Sequence, residues 1–422
     1  MSKFDDILKA ELIESMGCTE PAAIAFAVAF AKEKLSTLEK VESVSLMLSS
    51  NMLKNALCVT IPNTNQSGVE MIVALSLNKC KSNNGLTILS ELADEDVENA
   101  QNTLKNVKIE VGLAENSNHL YICANVCTKN HNVKVEIEDK HDEIKTCEKD
   151  GVVIFEKALT PQQEQTENNN TYEELLDYIE NENMNSSLLN KIKEYNLDIA
   201  NYGLENKTGL GIGKTLSQAH LFDEKYRSVI AKTVAGIDSR MGGVGKKVYI
   251  NSGSGNQGIT ATVPVVEMAK ILKVSKAQEL KALALSHLTA IHIRSKQGRL
   301  SSACGAVCAC GGVAAAVTYL LGGTRKQIQG AVLNLLCSNF GVFCDGAKST
   351  CALKVASALS AALASAFLAK EDVYINSNLG VISQSLDETL SYIAKIENKL
   401  TTEMDKTILE TAIDNALNAN KR

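Results

Sequence analysis

Cysteine is the residue whose number and spacing most invite chemistry. The 422-residue chain carries 12, and Cys304, Cys308, Cys310, Cys337, Cys344 and Cys351 fall within 48 residues in apolar surroundings. Thiolates hold soft metal centres and act as bases or nucleophiles, while thiols pack as small apolar groups. The paired C-x2-C knuckles of a zinc ribbon are absent. Iron–sulfur ligation needs no such spacing, and three thiolates from separate helix ends can hold a cube that leaves one iron open as a Lewis acid. Plain core packing is the competing reading of all six.

Cys18 stands apart. It lies between Gly17 and Thr19-Glu20-Pro21, a sequence that opens a helix because proline is tolerated in a first turn. A helix N-terminus favours a thiolate, and Glu20 opposes it. A reactive thiol and an incidental turn cysteine both remain open. Cys58, Cys123 and Cys127 fall in strand-like patterns and read as core, and Cys80 and Cys147 as structural.

Two glycine-rich segments imitate nucleotide sites. Gly209-Leu210-Gly211-Ile212-Gly213-Lys214-Thr215 has Thr208 where a phosphate loop requires its first glycine. Gly253-Ser254-Gly255-Asn256-Gln257-Gly258 satisfies G-x-G-x-x-G, but Pro264 should break the long helix a dinucleotide fold needs. A small carboxylate held by backbone N–H groups and amide side chains suits this turn better, with a plain tight turn as the alternative.

The elements that position these residues divide in two. Alternation over Val41–Leu46, Leu57–Ile61, Val107–Val111, Leu120–Val126 and Val133–Ile137 predicts strands of a sheet wet on one face, Val152–Phe155 is strand-like as well, and one helix is expected over Leu86–Leu104. Pro161–Asn170 is a polar linker, and Thr171 with Glu174 makes a capping box. The remainder reads as helices, ending in two polar amphipathic ones near 386–400 and 403–419. The expected fold class is α+β: an α+β domain with a mostly antiparallel sheet plus a larger all-helical, Ala/Gly-rich domain. The expected boundaries are 1–40 for N-terminal helices packing with the catalytic domain, 41–160 for the α+β domain and 171–422 for the helical one.

Composition removes several classes. A net charge of −6, 4% aromatics and no Trp disfavour nucleic acid, an anionic membrane surface or base stacking. Leu300–Thr324 is uncharged but built from Ala, Gly, Ser and Cys, which predicts a buried, closely packed helix and no membrane span. Val355–Ala369 is similar and too short to span. The N-terminus shows no secretory signal, so a cytoplasmic chain with reduced thiols is expected.

Four segments, taken in order, carry a resemblance. Gly17-Cys18-Thr19-Glu20-Pro21, Ser252–Gly258, Gly298-Arg299-Leu300-Ser301 leading to Cys304-Gly305, and Cys344-Asp345-Gly346-Ala347-Lys348 leading to Cys351 resemble the iron–sulfur-dependent L-cysteine desulfidases, relatives of the iron–sulfur L-serine dehydratase α chain. The likeness runs from Glu11 to about Ala369. It implies a lyase that releases sulfide, ammonia and pyruvate from L-cysteine with a [4Fe-4S] cluster and no pyridoxal phosphate. It places the cluster on Cys304, Cys344 and Cys351 and the base at Cys18, and leaves Cys308, Cys310 and Cys337 as core. Gly255, Asn256 and Gln257 become candidates for the substrate carboxylate. Asn51, Lys54 and Asn55 resemble a second patch that closes the site from the α+β domain, with an exposed polar turn as the alternative. One departure is local, the basic His292-Ile293-Arg294-Ser295-Lys296-Gln297 before the Gly-Arg-Leu-Ser. Serine as substrate, or an iron–sulfur redox sensor with Cys18 as a fourth ligand, are the rival readings. The expected partner is a small amino acid; self-association stays open.

Overall fold

The computed structural model describes residues 2–36, 38–115, 117–157, 170–219, 223–297 and 301–419. The first part runs α1 (Lys3–Glu11), β1 (Glu14–Met16), α2 (Thr19–Glu33), β2 (Val41–Leu48), α3 (Ser50–Ala56), α4 (Val69–Asn78) and α5 (Asp94–Asn106). Strands β3 (Lys108–Leu113), β4 (Tyr121–Thr128), β5 (Asn132–Glu138), β6 (Ile144–Lys149) and β7 (Val152–Glu156) follow. The second part runs α6 (Tyr172–Asn181), α7 (Ser186–Glu205), α8 (Ile212–Ser217), α9 (Glu224–Met241), β8 (Lys247–Tyr249) and α10 (Gly255–Leu272). It ends with α11 (Lys276–Gln297), α12 (Gly305–Leu320), α13 (Arg325–Asn339), α14 (Cys351–Lys370) and α15 (Leu386–Ala419).

The architecture is α+β with a large helical part, as the hydropathy pattern indicated. Six strands form a sheet in the order β3-β2-β4-β5-β6-β7. Only β2 and β3 run parallel, because α3, α4 and α5 supply the crossover between them; the hairpin-linked strands are antiparallel. Val44, Leu46, Leu48, Ile122, Ala124, Val126, Val133, Val135 and Ile137 face inward, and α2 covers β4 and β5. Met47, Tyr121, Cys123, Lys134 and Glu136 line a cavity of about 560 Å³ on the open face.

Several expectations change at this level. Cys123 and Cys127 share one face as the strand period requires, but it is the open face, and both are half-buried. Leu57–Ile61 pairs with no strand, and Cys58 is exposed. The helix expected over Leu86–Leu104 begins only at Asp94, where the Asp96 side chain accepts from the Ala93 N–H. Residues 1–40 divide between the parts: α1 lies against α11, while α2, apolar on every side, is sandwiched between the sheet and α4. The stretch 161–169 of the expected linker lies outside the described residues, and Thr171 caps α6 with Glu174 as predicted.

In the helical part α12 is the hub, with α10, α11, α13 and α14 around it. Its small residues permit close approach: a Cβ at Gly312 would lie 2.1 Å from the Ser286 carbonyl oxygen of α11. This is the buried helix expected within Leu300–Thr324. Pro264 sits inside α10 without ending it; the missing N–H removes one bond to the Thr260 carbonyl, and the fully buried flanks hold the helix. α14 is longer than expected, and by length and composition it could cross a membrane; here it lies against α9, α12 and α13. The two expected C-terminal helices are one, α15, which packs on α3, α11 and α13 and so touches both parts.

Candidate active site at converging helix N-termini

A short ribbon brings the first pieces together. β1 pairs antiparallel with β8, Glu14 opposite Tyr249 and Met16 opposite Lys247. Each strand ends in a tight turn. Gly17 takes φ +69°, and a Cβ there would lie 2.2 Å from the Pro62 ring. Gly253 takes φ +82° after Ser252 at φ +49°. The turns then open α2 and α10, with Cys18 and Ser254 as their N-cap residues. Thr19 Oγ1 ties the two helix starts by donating to the Gly253 carbonyl at 2.9 Å.

The second pair of helix starts carries the other cysteines. Cys304 is the N-cap of α12 and Cys351 is the first residue of α14. Residues 302–304 and 342–344 form a local bridge: the Cys304 N–H donates to Val342 O at 2.9 Å, and the Cys344 N–H to Ser302 O at 2.7 Å. Burial pushes the Cys304 thiol up to about 12, with Cys344 and Cys351 close enough to add their charge. Burial raises Cys351 in the same way, and Cys344 adds to it. The motif's Gly298-Arg299-Leu300 lies outside the described residues.

Gln257 joins the two pairs. Its side chain reaches from the start of α10 to that of α12, where a Cβ at Gly305 would lie 2.8 Å from its Cδ. It is 2% exposed, and its Oε1 meets no hydrogen-bond partner among the described residues. Four helix N-termini therefore meet here, each presenting unsatisfied N–H groups and a partial positive charge.

Cys18 is 3% exposed and its Sγ donates to Glu20 Oε2 at 2.9 Å. Burial pushes the thiol well above its ordinary range, Glu20 adds to this, and Arg240 opposes it. The lowered pKa expected from the helix N-terminus is therefore not what the resting site shows; desolvation and a neighbouring carboxylate outweigh the dipole.

The patch Asn51, Lys54 and Asn55 is buried on α3, not an exposed turn. Lys54 Nζ pairs with Asp405 Oδ1 at 2.7 Å and donates to the Cys344 carbonyl at 3.2 Å, and Asn51 Nδ2 donates to Asp405 Oδ2 at 2.6 Å. Gly346, at φ +95°, lies so close to α3 that a Cβ would be 2.5 Å from the Lys54 carbonyl oxygen. Lys54 thus braces the cysteine loop from the α+β side. Asn256 is occupied: its Oδ1 accepts from Arg240 and its Nδ2 donates to Met241 Sδ.

Other residues entered only with the structure. Asp405, Glu397 and Arg240 had no sequence signal except, for Arg240, a charge late in α9; for Glu20, legible beside Cys18, the structure adds the hydrogen bond from Cys18 Sγ. The basic stretch before Cys304 is structural: His292 Nε2 pairs with Asp387 at 2.6 Å and Arg294 donates to Ala303 O at 3.3 Å. Cys308 and Cys310 are core as expected, whereas Cys337 is exposed on α13. The G-x-G-x-G-K-T loop offers no phosphate cradle, since Asp238 Oδ2 accepts the Gly213 N–H at 2.8 Å.

The family model for the serine dehydratase alpha chain matches residues 83–410. The chain belongs to the serine dehydratase alpha chain family. A UPF0597 protein of Clostridioides difficile is 35% identical over 424 residues, covering 97% of this chain and 99% of the relative. Similar proteins from Lachnoclostridium phytofermentans and Photobacterium profundum are 36% and 34% identical, each covering at least 97% of both chains. The family is one of iron–sulfur lyases.

The donor set fits such a centre. Among the described residues no group of three or more His, Cys, Asp or Glu converges as a single ion would require. A four-iron cube takes one thiolate per iron, so it needs its cysteines near one another and not in contact. Cys304, Cys344 and Cys351 lie near enough for charge on one to be felt by another, and Lys354 near enough for its charge to favour the Cys304 and Cys351 thiolates.

Proposed function

We propose that the chain is a carbon–sulfur lyase that decomposes L-cysteine to hydrogen sulfide, ammonia and pyruvate. The observation that supports it most is the joining of the helix starts that carry Cys18 and Cys304: Thr19 ties the start of α2 to the Gly253 turn before α10, and Gln257 of α10 reaches the start of α12. In this reading the three cysteines hold a [4Fe-4S] cluster, which supplies Lewis acidity toward the β-substituent of the substrate; pyridoxal phosphate has no part.

The chain's own residues handle the proton. Cys18 Sγ passes its proton to Glu20 Oε2, along the hydrogen bond already present. The thiolate so formed removes the α-proton, and the electron pair expels the β-thiol as sulfide. The aminoacrylate that remains tautomerises and adds water to give pyruvate and ammonia. The Gly255 amide at the start of α10 faces the substrate, and Asn51, Lys54 and Asn55 of α3 close the site, Lys54 by holding the Cys344 carbonyl and Asn51 through Asp405. The whole chain would work in the cytoplasm, where an oxygen-sensitive centre and reduced thiols persist.

The family match favours a second reading, L-serine dehydration, in which hydroxide leaves in place of the thiol. The test is an anaerobic substrate panel on iron- and sulfide-loaded protein, reading sulfide and pyruvate. Sulfide release from L-cysteine above pyruvate formation from L-serine is expected. The reverse order assigns the chain to serine.

A further inference from the structure

Arg240 lies in the last turn of α9, 3% exposed, beneath the start of α10. Its guanidinium occupies the space a side chain at 255 would take: a Cβ there would be 2.2 Å from Nε and 2.6 Å from Cζ. Gly255 is therefore glycine to admit the arginine. One nitrogen, Nη1, donates to Asn256 Oδ1 at 3.0 Å, while the buried Nε meets no acceptor among the described residues.

No carboxylate among the described residues forms an ion pair with Arg240. Asp238, two residues earlier, turns to the α8 loop, where Gly213 donates to it. Glu20 is engaged by the Cys18 thiol and the Thr19 hydroxyl. A buried cation without an anion is costly, and a fold that keeps one holds it for a charged ligand. The start of α10 adds N–H groups on the same side. Across the site, Gln257 Oε1 is an equally buried atom without a partner among the described residues, and it accepts where the arginine donates.

We propose that Arg240 anchors the α-carboxylate of the substrate and that Gln257 Oε1 receives its α-ammonium group. The ligand class is then a zwitterionic L-α-amino acid. The carboxylate lies toward α9, and the β-substituent is directed past Cys18 toward the three cysteines at the starts of α12 and α14. Asn256 acts through Arg240, as a positioning residue for the guanidinium. The inference rests on the lyase reading for what happens after binding and stands apart from it for binding itself.

Arg240→Met and Arg240→Lys test it, each loaded anaerobically and checked for iron and sulfide content. The expected result is unchanged cluster content and a roughly 10- to 100-fold rise in KM for L-cysteine and L-serine, with a smaller change in kcat, since a charged hydrogen bond of binding is lost. Preference for L-cysteine over its methyl ester should collapse in Arg240→Met. An unchanged KM with the acid-over-ester preference retained overturns the assignment. Loss of the cluster in both variants also overturns it, because that assigns Arg240 to the scaffold. If Arg240→Met does not fold, Arg240→Lys decides by the same readings. Thermal protection supplies the measure free of turnover. L-cysteine and L-serine should protect the wild-type protein, cysteamine should not, and neither variant should respond to the amino acids. That pattern in a protein that turns over neither substrate keeps the anchor and removes the lyase; turnover without it does the reverse.

Discussion

Lys54 and Asp405, 351 residues apart in sequence, form an ion pair of 2.7 Å in which both side chains are 1% exposed. The pair locks α15 onto α3, and the same ammonium group holds the Cys344 carbonyl. It ties three distant segments to one charge.

Asp405→Ala should therefore cost about 3–5 kcal/mol, the usual cost of leaving one member of a buried pair behind. Asn51 loses its acceptor in the same variant. The double variant Lys54→Met, Asp405→Leu should recover much of that stability, because both charges then leave together. Yet it should load less iron, since nothing then grips the Cys344 carbonyl. Urea unfolding of the anaerobic proteins and iron counting decide; full iron loading of the double variant would separate the pair from the cysteine loop.

Cys18 and Glu20 should divide chemistry from cofactor. Cys18→Ala is expected to keep the iron and the absorption of the centre while losing at least 100-fold in turnover, the scale of a missing general base. Glu20→Gln removes a negative charge that disfavours the thiolate. The acid limb of kcat/KM should move to lower pH in that variant, and the maximal rate should fall because the proton has lost its acceptor. A Cys18→Ala protein of full activity would remove Cys18 from the reaction.

Among the cysteines of the helical part, the expected split is sharp. Cys304→Ala, Cys344→Ala and Cys351→Ala should each abolish cluster loading. Cys308→Ala and Cys310→Ala should retain it and lose stability, and Cys337→Ala, at an exposed position, should retain both. Iron and acid-labile sulfide measured after anaerobic reconstitution read this directly.

How much of this was legible in the sequence depended on how local the physics was. Period-two alternation announced β2, β3, β4 and β5, since each strand has one covered and one wet face or lies at the edge, and a short apolar run announced β7. β1 was invisible: three residues carry no period, and only the pairing with β8 makes them a strand. The motif segments were readable one by one, but the joining of their helix starts was not, because it is made by Gln257, the Gly253 turn and the 302–344 bridge. The break expected within α15 fell at Thr401-Thr402. Thr401 Oγ1 instead back-bonds to the Glu397 carbonyl at 2.7 Å and meets Ser302 Oγ at 3.0 Å, so a polar position serves the cysteine loop. Arg240 and Asp405 were missed for one reason: a buried charge is explained only by what faces it.

Glu397 gives the protein a pH dependence whose sign can be worked out. Its carboxyl is buried on α15, where Gln297 Nε2 donates to Oε1 at 3.2 Å and Ser301 Oγ to Oε2 at 3.5 Å. Burial pushes its pKa from 4.5 up to about 7, against the opposing pull of Arg294 and Ser301. The folded chain therefore holds a proton between these values that the unfolded chain has released. Stability from this group is complete below 4.5 and is lost as pH rises to about 7, by at most roughly 3 kcal/mol. Glu397→Gln keeps the shape and removes the titration. The stability difference, wild type minus Glu397→Gln, should thus fall between about pH 4.5 and pH 7 and stay level above it. Asp238, pushed up to about 6, contributes its own slope to both proteins and cancels in the difference. Urea midpoints of the two proteins across that range read the result, and a difference independent of pH would mean that Glu397 stays ionised in the fold.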